Sequence, residues 1–257
     1  MNQIDLIGQH AVVTGGAQGI GQAIALRLAR AGGRVAVLDQ QPAAQTLSQL
    51  RELGRPAWSA EVDLSDAASV ARAYERLDDE FGSPYALVNA AGVFADIPFL
   101  DTPVDVWDRV MNVNARGVFL SCQQAARRMR VAGEGRIVNI LSTASSQGFA
   151  LESAYCASKG AVLLLTRVLA VELAPLGISV NGVGPGTVQT AMGRDYLARG
   201  PIAGHELSRT PMGRFGTPAD IAETVCFLVS DATWLTGQAI YVDGGFLATG
   251  LPVLAQL

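Results

Sequence analysis

Short, almost continuously apolar runs alternate along this chain with longer segments whose apolar residues recur every three or four positions. The short runs at 11–14, 34–38, 58–62, 86–89, 136–140, 178–183 and 238–242 are rich in Val, Ile and Ala and predict seven strands. The longer segments predict helices from the glycine turn after Thr14 to about Ala31, and over 42–53, 66–81, 104–131, 154–174 and 218–230. A strand that is apolar at consecutive positions is covered on both faces. Such strands, separated by helices, predict an α/β fold: a doubly wound parallel seven-stranded sheet with helices on both faces. No linker, repeat or low-complexity tract divides the chain, so residues 1–257 read as a single domain.

One stretch breaks the alternation. From Pro185 to Pro218 the sequence is rich in glycine, carries Pro201 and Pro211, and shows a helical pattern only near 191–199. Long irregular insertions in compact domains tend to cover sites. Residues 187–216 or so are therefore expected to form a mobile substrate lid, the alternative being a static surface excursion.

Composition narrows the choice of function. The chain is 49% hydrophobic and 16% charged, against about 25% charged in an average soluble domain, which excludes a disordered chain. No apolar run reaches the ~18 residues that span a bilayer, and the first ten residues lack the basic start and apolar block of a signal peptide. A net charge of −4 makes nucleic acid and anionic membranes poor partners. Cys122, Cys156 and Cys226 form no CxxC pair, and the histidines are His10 and His205 alone. That pattern argues against a disulfide framework and a metal site, and points to a reducing, cytoplasmic setting.

The first strand runs into Thr14-Gly-Gly-Ala-Gln-Gly-Ile-Gly21 and then into an amphipathic helix. A pyrophosphate needs backbone N–H groups within reach and the positive end of a helix behind them, and a Cβ would hold it away. Gly15, Gly19 and Gly21 meet that need, with Gln18 and Ile20 in the same turn. A dinucleotide site of the Rossmann type is the reading. Asp39 closes the second strand, 18 residues past Gly21. A carboxylate there accepts both adenosine ribose hydroxyls and repels a 2′-phosphate. Its neighbours are Gln40 and Gln41, and Arg34 stands at the far end of the strand, so NAD is expected rather than NADP. A plain helix N-cap is the alternative role for Asp39.

Tyr155 and Lys159 are four apart in a helical segment and share one face. A phenol with a pKa near 10 is a poor base at neutral pH, and an adjacent ammonium is expected to lower it. The pair then suits proton exchange with a substrate alcohol or ketone oxygen.

With the remaining motifs, the chain resembles the short-chain dehydrogenase/reductase family over nearly its whole length. The motifs, in order, are the loop 14–21, Asp39, Asp63-Leu64, Asn89-Ala-Ala-Gly92, Asn114, Ser142, Tyr155-Cys-Ala-Ser-Lys159, Pro185-Gly186 with Thr190, and Val242-Asp-Gly-Gly245. The resemblance implies that Asp63 and the Leu64 backbone flank the adenine, and that Asn89, Ala90 and Gly92 shape the strand end beside the cofactor. It implies that Ser142 bonds the reacting oxygen, that Tyr155 is the general acid/base, and that Lys159 holds the nicotinamide ribose. Asn114 would anchor a water that relays protons from Lys159, although local backbone capping is the plainer role for an asparagine. Pro185, Gly186, Val188 and Thr190 would grip the carboxamide.

Substrate contacts are expected from 94–97, 143–149 and 192–196, among them Phe94, Gln147, Phe149 and Met192 beside Ser142 and Tyr155. No basic cluster awaits an anion there, so a neutral secondary alcohol (a sugar, polyol or cyclic alcohol) and its ketone are the expected small-molecule substrates. A 3-oxoacyl-thioester reductase of the same family is the alternative activity, and a non-catalytic NAD-binding scaffold the alternative class. The segment 154–174 is apolar on nearly every face and is expected to be buried all round. Family members pair such helices across two-fold axes, which implies a homotetramer, with the apolar tail 246–257 closing against a neighbour.

Overall fold

The structure, a computed structural model, describes residues 6–198, 201–230 and 232–249, with the side chains at 195, 196, 201 and 202 outside the described set. Seven parallel strands form one sheet in the order β3-β2-β1-β4-β5-β6-β7. They are β1 (His10–Thr14), β2 (Arg34–Asp39), β3 (Ala57–Glu61), β4 (Ala86–Asn89), β5 (Gly135–Ile140), β6 (Ile178–Pro185) and β7 (Ala239–Val242). β1 lies between β2 and β4, with Val12 opposite both Ala36 and Leu87.

Successive strand residues point to opposite faces, and the core accordingly has two layers. Val13, Val35, Val37 and Val88 pack under α1 (Gly19–Arg30), α2 (Ala44–Glu52) and the helix Pro218–Ser230, through Ile24, Leu28, Leu50, Ile221 and Val225. Val12, Leu38, Leu87 and Val180 pack on the other face under α3 (Ala67–Glu80) and two long helices, through Tyr74, Leu77, Met129 and Val162. This is the doubly wound arrangement that the apolar alternation predicts. Among the described residues no helix is long and apolar enough to cross a membrane.

Two differences from the sequence reading have local causes. The helix expected over 104–131 is α4 (Val104–Met111), a π-helical turn (Asn112–Arg116) and α5 (Gly117–Ala132). Single π turns inside helices recur at functional sites, and this one carries Asn114. The segment 187–216 holds the helix expected near 191–199, α7 (Ala191–Leu197), and a second that was not expected, α8 (Pro201–Ser208). Its base is fastened where Gln189 N–H donates to Gly216 O at 2.9 Å and Gly216 N–H to Thr187 O at 2.9 Å. Pro201 at the first helical position starts α8 rather than preventing it. α6 (Ser153–Leu173) has an apolar outer face that the single chain leaves uncovered. Leu164, Val168 and Val171 are 61%, 51% and 77% exposed, a stripe on its outer face.

Candidate active site

The strand order reverses between β1 and β4, and open α/β sheets bind ligands beyond the strand ends at such a point. A cleft of about 720 Å³ opens there. Its dinucleotide end is made by backbone. Gly15 has φ +69°, and a Cβ on it would lie 2.6 Å from the Ala91 backbone. Gly21 packs so closely that a Cβ would stand 2.1 Å from Gly15 O. The first turn of α1 therefore presses against the end of β1, and Thr14 Oγ1, accepting from Ala91 N–H at 3.3 Å, ties β1 to the chain after β4. Gln18 caps α1 without a side-chain hydrogen bond, and no acidic residue sits in the first turn. The helix thus offers its N–H groups and positive end to an anion in the cleft. Asp39 is held beside this loop: Oδ2 accepts from Ala17 N–H and Oδ1 from Gln41 N–H, both at 2.9 Å. Arg34, at the start of β2, donates to Phe81 O at 2.8 Å, away from Asp39.

Of the expected cofactor residues, Gly15, Gln18, Gly19, Ile20, Gly21, Asp39, Asp63, Leu64, Ala90, Gly92, Pro185, Gly186, Val188 and Thr190 line the cleft. Tyr155, Lys159 and Ser142 line it too, with Phe94, Phe149 and Met192. Ser142 follows β5 in extended conformation, and its Oγ accepts from Ala144 N–H at 3.1 Å. The Phe94 ring meets Tyr155 edge-on at 5.0 Å. Lys159 is buried and donates from Nζ to Ile140 O at 2.8 Å, with Nζ 5.7 Å from the centre of the Tyr155 ring.

Burial pushes the Tyr155 phenol up to about 12, while the Ser142 hydroxyl pulls the other way. In the chain by itself desolvation dominates, and the charges of Glu152 and Cys156 act in the same direction. The same desolvation brings Lys159 down to about 8.

Three expected site residues stand elsewhere. Asn89 lies within the sheet, donating to Asn139 Oδ1 at 2.8 Å and to Cys122 Sγ at 3.2 Å, and ties β4 to β5 and α5. Asn114 is fully buried, behind Gly92 and close to Lys159. Its Oδ1 accepts from Val93 N–H at 2.8 Å, and its Nδ2 donates to Val93 O at 2.9 Å and Ser158 Oγ at 3.1 Å. The side-chain amide thus braces the loop after β4 against α6. Gln147 is half-buried outside the cleft lining.

Two carboxyls that sequence reasoning passed over do line the cleft. Glu152 and Glu206 are 7% and 9% exposed. Glu206, on α8, accepts the Thr187 hydroxyl. Burial, then the charge of Glu206, raises Glu152 to about 7. Glu152 lies three residues before Tyr155, a spacing that places it near the tyrosine once the helix start is known. Nothing comparable flags Glu206, which a sequence gap of more than fifty residues separates from Tyr155. A smaller chamber of about 260 Å³ adjoins this end and shares Phe149, Thr187 and Glu206 with it.

A family model described as enoyl-(acyl carrier protein) reductase matches residues 15–247. The chain is 41% identical over 243 residues to 2-(S)-hydroxypropyl-CoM dehydrogenase 3 of Xanthobacter autotrophicus, covering 92% of this chain and 95% of that one. It is 36% identical over 250 residues to 2-dehydro-3-deoxy-D-gluconate 5-dehydrogenase of Dickeya dadantii, covering 96% and 99%. The structure of a gluconate 5-dehydrogenase from Burkholderia cenocepacia in complex with NADP and tartrate superposes with a TM-score of 0.93 at 33% identity, covering 96% and 98%. The chain belongs to the short-chain dehydrogenase/reductase family.

Proposed function

We propose that the protein interconverts a neutral secondary alcohol (a sugar, polyol or cyclic alcohol) and its ketone, with NAD as cofactor. The observation that carries this reading is the continuity of one cleft from the glycine loop to Ser142 and Tyr155. The dinucleotide end fits its ligand. A Cβ at Gly15 or Gly21 would fill the cradle, and the start of α1 holds unsatisfied N–H groups for a pyrophosphate. Asp63 and Leu64 would flank the adenine, Asp39 would accept the ribose hydroxyls, and Lys159 and the 185–190 turn would hold the nicotinamide end. When bound, the cofactor supplies the acceptor or donor of the hydride.

The chain's own residues handle the proton. Tyr155 Oη gives its proton to the ketone oxygen, or takes one from the alcohol, while Ser142 Oγ holds that same oxygen. Burial favours the protonated phenol, the state that donates to a ketone; taking a proton from an alcohol requires the phenolate. Lys159, a buried cation beneath the tyrosine, stabilises negative charge as it develops on Oη. Asn114 acts at one remove, by fixing the Val93 loop and Ser158 around Lys159.

NAD is favoured because the Asp39 carboxylate lines the dinucleotide end beside the uncharged Gln18, Gln40 and Gln41, and a carboxylate there repels a 2′-phosphate. The exposed stripe Leu164, Val168 and Val171 supports assembly as a homotetramer through α6. Residues 250–257 of the apolar tail lie outside the described residues. A coupled screen of secondary alcohols and ketones with both cofactors tests the reading. The expected outcome is NADH formation from neutral alcohols. Clear preference for NADPH with acyl thioesters would overturn it.

A further inference from the structure

The cleft's substrate end contains an unusual group. Glu152, at the N-terminus of α6, is 93% buried by its 7% exposure, yet its carboxyl has no hydrogen-bond or ion-pair partner among the described residues. Its oxygens are not sealed in the core but face the cleft, where the chain supplies no donor and a ligand's hydroxyls could. The groups around it do not. Tyr155 and Cys156 follow it on α6 and feel its negative charge, and Glu206 faces it from α8 with a charge of the same sign. The ammonium of Lys159 is turned away, onto Ile140 O. Phe149, stacked on Phe246 at 6.1 Å, gives this end apolar walls that sharpen the need for a donor.

We propose that Glu152 is the specificity residue of the substrate site, accepting hydrogen bonds from hydroxyls next to the reacting carbon, and that it selects uncharged vicinal diols over sugar acids. This rests on the alcohol dehydrogenase reading above. A carboxylate's two oxygens match the spacing of a 1,2-diol, the same chemistry that Asp39 offers a ribose. Hydroxyls donated to it favour its ionised form and offset the burial that otherwise keeps it protonated. Thr187 already donates a hydroxyl to Glu206 in this cavity, so hydroxyl is the donor type these carboxyls accept here. A substrate carboxylate seated beside Glu152 and Glu206 would meet two acidic groups and be repelled by them. Polyols are thus separated from aldonic acids by charge as well as by shape.

The test compares the parent with Glu152→Gln, which keeps the shape and removes the charge, on cyclohexanol, cis-1,2-cyclohexanediol, D-sorbitol and D-gluconate with NAD. NAD binding by fluorescence titration and a thermal melt check that the variant is folded. The parent is expected to favour the diols over cyclohexanol by at least tenfold in kcat/KM. The variant is expected to lose at least tenfold on the diols, chiefly through KM, to change less than threefold on cyclohexanol, and to gain on gluconate. Equal losses on diol and cyclohexanol, or an unchanged diol preference, would overturn the inference and leave the dehydrogenase reading standing. So would a parent that prefers cis-2-aminocyclohexanol to the diol, since charge rather than hydroxyls would then be recognised. Failure of the parent to oxidise any of these compounds overturns both.

Discussion

The two ends of the cleft are built by different means. At the dinucleotide end, strand termini, a helix start and close backbone contacts do the work, and the side chains that matter (Asp39, Asp63) project from strand ends or the turns that follow them. At the substrate end, the lining comes from side chains on the loop after β4, the 142–152 segment, α7 and α8, which meet only in the folded chain. The first kind of site is dictated by covalent geometry and so recurs with fixed spacing. The second depends on which side chains happen to converge, and a few substitutions can rewrite it without touching the fold.

Tyr155 sits where the two ends join, and removing its hydroxyl gives the largest effect. Tyr155→Phe is expected to lower kcat by roughly 10²–10⁴-fold, with NAD binding unchanged in a fluorescence titration. If binding fell in parallel with turnover, the two ends would be one coupled unit and the division above would be wrong.

The backbone-built end is tested by a single methyl group. In Gly21→Ala the new Cβ would stand 2.1 Å from Gly15 O, and neither backbone segment can yield. A loss of about 2–4 kcal/mol in a denaturant melt is expected, together with loss of dinucleotide binding. Gly148→Ala is the control on the loop after Ser142. Nothing lies within 4 Å of a Cβ there, so its stability should stay within about 0.5 kcal/mol of the parent.

This contrast also explains what could be read from the sequence. The seven strands, their parallel order and the glycine loop follow from apolar runs and from glycines that tolerate no side chain, both local properties of the chain. Tyr155, Lys159 and Ser142 were legible through spacing and through their place after a strand. The failures are non-local. Asn89 and Asn114 carry polar side chains near strand and helix ends, but only the fold shows that the Asn89 amide N–H groups go to Asn139 and Cys122 inside the sheet and that Asn114 pairs with the Val93 backbone. Glu206 was hidden because α8 was read as loop, and without α8 no carboxyl faces Glu152. The burial that raises the Tyr155 phenol is likewise a property of the fold, since the sequence shows the neighbouring charge and not the depth.

The Glu152 carboxyl also leaves a mark on stability. Its pKa in the folded chain stands at about 7, above the ordinary 4.5. Below pH 4.5 the carboxyl is protonated in folded and unfolded chains alike and has no effect. As the pH rises toward 7 the unfolded chain ionises first, so stability falls, and above 7 the full penalty applies. At about 1.4 kcal/mol per pH unit, discounted for solvent in the cleft, the penalty is about 2–3 kcal/mol. Glu152→Gln is therefore expected to be more stable than the parent by that amount at pH 8 and equal to it at pH 4, by urea melts at each pH. A difference independent of pH would assign the effect to packing.

The smallest effect tests where the substrate end stops. Gln147 lies between Ser142 and Phe149 in sequence, yet the cleft is lined by those two and not by it. What fixes Gln147 is its backbone, whose N–H donates to Thr143 O at 3.1 Å, and an alanine keeps that bond. Gln147→Ala should therefore leave kcat and KM within twofold of the parent on every substrate, whereas Phe149→Ala removes a wall and should raise KM for cyclic alcohols severalfold. The pair separates neighbourhood in sequence from neighbourhood in space. A Gln147 effect as large as that of Phe149 would mean that the loop reshapes itself around the substrate, and that the side-chain-built end is assembled by binding rather than waiting for it.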